Sequence, residues 1–164
     1  MSGMILKEGI RNIIFDFGGV LFEIDYDLPA IAFENLGFGD FKSFYTQAAQ
    51  NPMFDLLETG QIENDKFLDF LNEFVPEASR EQVLHAWNVI LLRIMPNEVE
   101  CVYKIRQSGI RTFLLSNTNA IHVAEFEQMI ANTMDFELFK SAFEKIYYSN
   151  AIGIKKPHPE TFLQ

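Results

Sequence analysis

Apolar positions along this chain follow two rhythms, and the alternation between them predicts its architecture. Ile13-Ile14-Phe15, Thr112-Phe113-Leu114-Leu115 and Lys145-Ile146-Tyr147-Tyr148 are short, nearly unbroken apolar runs. Such runs read as strands buried on both faces of a sheet. From Glu23 to Met95 the spacing is helical instead. Phe41, Phe44 and Tyr45 follow a candidate cap at Asp40. Phe67, Leu68, Phe70, Leu71 and Phe74 follow Asn64 and stop at Pro76. Val83, Leu84, Trp87, Ile90 and Leu91 follow Ser79 and Gln82, which are spaced as a capping box. These stripes are expected to face their own core, and no strand is expected among them.

Beyond Pro96 the two rhythms alternate. Asn97 can cap a helix through Val99, Val102, Tyr103 and Ile105, with Gly109 placed to end it. The second strand is followed by a helix from about residue 120 to 132, and His158-Pro159-Glu160 suggests the start of another. Strands alternating with helices imply right-handed crossovers and a mostly parallel sheet, so the class is α/β. The helical stretch then becomes an insertion after the first strand.

Composition narrows the partners. The 164 residues are 48% apolar and include 17 Phe, enough for a packed core. A net charge of −10 argues against general affinity for nucleic acid or an anionic membrane. An anionic substrate would therefore need a local positive field from a metal, a lysine or a helix N-terminus. Cys101 is the single cysteine, so neither an internal disulfide nor a structural zinc cluster is expected. Lys7-Glu8 interrupts the apolar start at Met4-Ile5-Leu6, and the apolar run Val89 to Met95 contains Arg93 and is too short to span a bilayer. A cytoplasmic location is the expectation, and the oligomeric state is left open.

Each predicted strand ends in a chemically pointed group: Asp16, then Ser116 with Asn117, then Lys156. Strand carboxyl ends are where open α/β sheets hold ligands. A carboxylate, a hydroxyl with amide donors, and a lysine together describe a phosphate site with a covalent acceptor. Singly each has a plainer reading: a solvated Asp-Gly turn, a polar helix cap, a surface lysine.

The strings Ile-Ile-Phe-Asp-Phe-Gly-Gly-Val-Leu (residues 13–21), Leu-Leu-Ser-Asn-Thr-Asn (114–119) and Gly-Ile-Lys-Lys-Pro-His-Pro-Glu-Thr-Phe (153–162) resemble motifs one to three of the haloacid dehalogenase-like hydrolases. The closest resemblance is to the small sugar-phosphate phosphatases of that superfamily, the α-glucose-1-phosphate phosphatase type. It implies a Rossmann-like core over residues 1–22 and 96–164 and a helical cap over 23–95. It also implies a Mg²⁺-dependent phosphatase of small phosphorylated metabolites. Asp16 would be the nucleophile and would hold Mg²⁺ with the Gly18 carbonyl. Ser116 and the backbone after it, at Asn117, would bind the phosphate, and Lys156 would pair with phosphate and Asp16, with Lys155 as runner-up. The cap around Phe54 to Ile62, particularly Glu58 and Gly60, is where specificity would sit, although a plain turn explains Glu58-Thr59-Gly60 equally well.

Two departures from the family pattern matter. Gly18 stands where many of these phosphatases carry a second Asp, the general acid and base, whose help is worth about 10²–10⁴ in rate. Glu23, Asp25 and His122 are stand-ins by motif position, though each has an ordinary structural reading. The fourth, acidic motif would follow Lys156 by about 20 residues, whereas the sequence stops at Gln164. A core lacking its C-terminal part, with weak Mg²⁺ binding, is therefore expected. The alternatives are a metal-free 2-haloacid dehalogenase and an inactive phosphate- or partner-binding module.

Overall fold

The computed structural model describes residues 9–45 and 51–164. In chain order it contains β1 (Asn12–Phe15), β2 (Phe22–Ile24), α1 (Asp27–Asn35), α2 (Phe41–Phe44), α3 (Pro52–Glu58), α4 (Asn64–Asn72), α5 (Arg80–Asn88), β3 (Leu91–Ile94), α6 (Pro96–Gln107), β4 (Arg111–Ser116), α7 (Ala120–Thr133), α8 (Phe136–Ser141), β5 (Lys145–Tyr148) and α9 (Ser149–Ile152). A 3₁₀ turn over Pro159–Leu163 stands where His158-Pro159-Glu160 predicted a helix.

The predicted strands form one parallel sheet in the order β1-β4-β5, with Ile14 beside Phe113 and Leu114 beside Ile146. β4 lies in the middle, and Leu114 and Leu115 are buried. β1 does not meet the expectation of a strand buried on both faces. It lies at the sheet edge, and its side chains alternate between faces. Phe15 joins the hydrophobic core, while Ile14 on the opposite face is 50% exposed.

The stretch expected to be helical throughout begins and ends in strands. β2 and β3 pair antiparallel, Phe22 beside Ile94 and Glu23 beside Arg93, with a bulge after Glu23. Leu91, predicted on a helical face, opens β3 instead, because α5 stops at Asn88. α1 is a further addition. Its Pro29 reads as a breaker but falls in the first turn, where a missing N–H leaves no intrahelical bond unmade.

Several caps also differ. Glu63, not Asn64, precedes α4, and the helix stops at Asn72, whose amide donates to the Val75 carbonyl. Met95 precedes α6, whose first residue is Pro96, so Asn97 is not its cap. Asp40 precedes α2 without a side-chain bond. The Ser79–Gln82 capping box is present in both directions.

Apolar side chains gather in two clusters. One, built on α1 to α5, includes Phe33, Phe41, Tyr45, Phe54, Phe67 and Trp87. Its rings interlock, with Phe33 stacked on Phe41 at 4.3 Å and Trp87 against Phe67 at 5.0 Å. The other holds the sheet: Phe17, Phe22, Ile94, Leu114, Phe126 and Phe139. The β2–β3 pair packs with this second cluster and so ties the helical insertion to the sheet at both its ends. Among the described residues no helix is long and apolar enough to cross a membrane.

Candidate active site

The chain leaves β1 at Asp16 and turns at once. The Phe17 carbonyl accepts hydrogen bonds from Val20, Leu21 and Phe22, and Gly19 takes a left-handed φ of +75° that few side chains tolerate. The turn aims the Asp16 carboxylate off the strand end. Its Oδ1 accepts the Phe17 N–H at 2.8 Å and lies 2.7 Å from Lys156 Nζ. The same ammonium donates to the Leu115 carbonyl at 2.9 Å, so Lys156 bridges the ends of β1 and β4. Two residues 140 positions apart are thereby brought into an ion pair by the fold. Asp16 Oδ2 and the Gly18 carbonyl accept no hydrogen bond among the described residues, which leaves two hard oxygen donors open.

Ser116 ends β4, 3% exposed, and among the described residues its hydroxyl makes only a long 3.4 Å contact to the Asn117 carbonyl. The Asn117 side chain is engaged within the protein. Its side-chain amide donates to the Lys156 carbonyl at 2.9 Å and its Oδ1 accepts the Lys156 N–H at 2.8 Å. The side chain therefore clamps the lysine loop. Ser149 Oγ, accepting from the Thr118 N–H and donating to its carbonyl, pins the other side of this loop.

Asp16, Gly18, Ser116, Asn117 and Lys156 all border one cavity of about 690 Å³. Its far wall comes from the helical insertion, through Tyr26, Tyr45, Asp55 and Glu58. No sequence motif marks Tyr26, Tyr45 or Asp55, because only the packing of the insertion brings them there. Burial, then the nearby Glu58 and Asp16 carboxylates, raise the Tyr26 phenol above its ordinary range.

Lys155, the runner-up lysine, turns toward the insertion. It pairs with Asp55 at 2.5 Å and Glu58 at 2.6 Å. Burial works against its charge, but the two carboxylates outweigh that and leave its pKa above the ordinary lysine range. Close by, Gly60 at φ +67° passes so near α9 that an added Cβ would lie 2.2 Å from the Asn150 carbonyl oxygen. Replacing Gly60 by Ala is expected to destabilise the protein by about 2–4 kcal/mol, since both the backbone angle and the contact are lost. A urea midpoint equal to wild type would refute this contact.

The stand-ins for a second acid are placed elsewhere or held fixed. Glu23 pairs with Arg93 at 2.6 Å, and Asp25 accepts the Asp27 N–H. Neither borders the cavity. At Gly18 a Cβ would fall 2.7 Å from Ile24 Cδ1, so an apolar side chain occupies the space an acid would need. His122 does border the cavity, but its ring is stacked on Trp87. Its Nε2 meets the Trp87 carbonyl at 3.2 Å, which assigns the proton to Nε2 and leaves Nδ1 to accept from the Asn119 amide at 3.0 Å.

Burial pushes His122 down to about 4, against the weaker opposing effect of the Trp87 carbonyl. The imidazole is thus neutral in the folded protein at pH 7. Because the folded pKa is depressed, its contribution to stability is complete above the unfolded value near 6.5 and is lost as pH falls toward 4. Over that window wild type should lose about 3 kcal/mol more than His122→Gln, as read from urea midpoints at each pH. Parallel pH profiles for the two proteins would contradict the assignment.

Lys156 is not at a strand end as expected but in the loop past α9, eight residues after β5 closes at Tyr148, and only its side chain reaches the sheet edge. A parallel α/β sheet whose carboxyl edge gathers an aspartate, a serine and this lysine beneath a helical insertion defines a capped hydrolase. The chain belongs to the haloacid dehalogenase-like hydrolase family, whose model matches residues 10–164. It is 30% identical over 154 residues to the D-ribitol-5-phosphate phosphatase of Bacteroides thetaiotaomicron, covering 93% of this chain and 74% of that relative. Among solved structures it is similar to a HAD family enzyme of the same organism, an aspartate-to-alanine mutant in complex with magnesium and inorganic phosphate. There the TM-score is 0.83 at 28% identity, over 94% of this chain and 76% of the other. A predicted HAD-like hydrolase from Porphyromonas gingivalis matches at TM-score 0.77 and 29% identity, over 94% and 73% of the two chains.

Proposed function

We propose that this protein is a Mg²⁺-dependent phosphatase of small hydroxyl-bearing phosphate monoesters, acting through a phosphorylated Asp16. The observation that carries this reading is the Asp16–Lys156 pair at 2.7 Å, with Ser116 at the rim of the same cavity of about 690 Å³. The likeness to a D-ribitol-5-phosphate phosphatase supports sugar or polyol phosphates as the class.

The chemistry follows from charge. A carboxylate approaches a phosphate dianion only where their repulsion is offset, and the Lys156 ammonium stands on that path. Asp16 forms a bond to phosphorus as the ester P–O bond breaks. Water then attacks the acyl phosphate, releasing inorganic phosphate and restoring Asp16. The Ser116 hydroxyl and the backbone after it donate to the phosphoryl oxygens. No acid stands at position 18, so the leaving oxygen takes its proton from water. Asp16 and the Gly18 carbonyl suit a Mg²⁺ ion, which takes hard oxygens, needs few protein carboxylates and keeps several waters. Bound there, it would add positive charge against the carboxylate–phosphate repulsion.

The test is phosphate release from a panel of sugar and polyol phosphates with Mg²⁺ and with excess EDTA, alongside 2-chloropropionate. Release that EDTA abolishes is expected, with no halide formed. Metal-independent halide release would replace this reading with dehalogenation.

A further inference from the structure

The loop that joins β4 to α7 is held from behind by a residue that never reaches the cavity. Ser149, the first residue of α9, is 1% exposed and does not border the cavity, whereas Thr118 and Asn119 do. Its one hydroxyl serves both peptide groups of a single residue: Oγ accepts the Thr118 N–H and donates to the Thr118 carbonyl, each at 2.9 Å. Two bonds of this kind leave neither flanking peptide plane free to rotate.

The consequence falls on the next amide. A peptide unit is planar, and in the trans form its C=O and N–H point in opposite directions. Among the described residues only Lys156–Pro157 is cis. Because the Thr118 carbonyl is turned to Ser149, the Asn119 N–H of the same unit is turned away from it. That N–H donates to no acceptor among the described residues. The Asn119 side chain is occupied separately, accepting the His122 N–H at 3.0 Å. An N–H so fixed, in the loop that opens with the Ser116 hydroxyl, is a preorganised donor to an anion.

We infer that Ser149 is a positioning residue for the phosphoryl group: by locking the Thr118 peptide groups it presents the Asn119 N–H to the bound anion. This rests on the phosphatase reading, in which the phosphate lies between Asp16, Lys156 and Ser116. The reciprocal link, in which the Asn117 side chain holds the Lys156 backbone, does not pass through Ser149. Removing the serine hydroxyl therefore loosens the donor while Lys156 keeps its place at Asp16.

The experiment measures the Kd of inorganic phosphate by calorimetry with Mg²⁺ present. The parent is Asp16→Asn, and it is compared with the same protein carrying Ser149→Ala, Ser149→Cys or Thr112→Val. Thr112 is the control, since its buried hydroxyl also donates to a carbonyl, that of Ala142 at 2.6 Å, but near the opposite end of β4 from Ser116. Thermal midpoints verify the fold and are expected to fall in all three. The phosphate Kd is expected to rise about fivefold in Ser149→Ala, the scale of one hydrogen bond. It should rise by a smaller factor in Ser149→Cys, whose thiol is a weak donor and acceptor, and stay unmoved in Thr112→Val. With Asp16 restored, Ser149→Ala should lower kcat/KM for a sugar phosphate and for phenyl phosphate by a common factor, because both share the phosphoryl group. An unmoved Kd in folded Ser149→Ala, or in Ser149→Cys should the alanine variant not fold, overturns the positioning role and leaves the phosphatase standing. A Thr112→Val loss of affinity as large as that of Ser149→Ala overturns it too. A parent that binds no phosphate overturns both readings.

Discussion

Asp16→Asn is expected to lower phosphate release by at least about 10⁴-fold, the scale on which loss of a covalent nucleophile is felt. The substitution is close to isosteric. The Phe17 N–H can still donate to Oδ1, so the turn that aims the side chain survives. What is lost is the negative charge that attacks phosphorus and that faces Lys156 at 2.7 Å. The variant should therefore fold with a urea midpoint near that of wild type and bind phosphate while turning nothing over. Full turnover in a folded Asp16→Asn protein would remove the proposed nucleophile and the covalent route with it.

Lys156→Met is expected to cost about 10²–10³ in kcat, the range seen when one preorganised donor is taken from a developing charge. Methionine keeps most of the stem length, and Asn117 still holds the backbone of position 156 through two hydrogen bonds. The loss is then electrostatic rather than a collapse of the loop. Lys155→Met serves as the contrast, because that lysine pairs with Asp55 and Glu58 on the insertion. Its effect should fall on KM and on stability. A Lys155 variant losing kcat as heavily as the Lys156 variant would reverse the two roles.

These lysines show where sequence reading reaches its limit. Adjacent residues of one type in one loop have the same local context, and only the motif resemblance ranked Lys156 first. The fold separates them by turning one side chain to the β1 end and the other to α3. Asn117 is similar: its position beside Ser116 was legible, but its use as a clamp on the lysine loop depends on a residue 39 positions away.

The chain by itself determined its three parallel strands, the amphipathic faces of its main helices and the strand-end placement of Asp16 and Ser116. Those features are local, written in runs of a few apolar residues and in the polar groups that close them. The tertiary structure alone decided the β2–β3 pairing, whose members are short and lie 70 residues apart at Glu23 and Arg93. It also decided that β1 has an uncovered face, that Ile24 fills the space beside Gly18, and that Tyr26, Tyr45 and Asp55 line the cavity. The reason is the same throughout: close packing chooses neighbours by shape across the whole fold, and no window of sequence carries that choice.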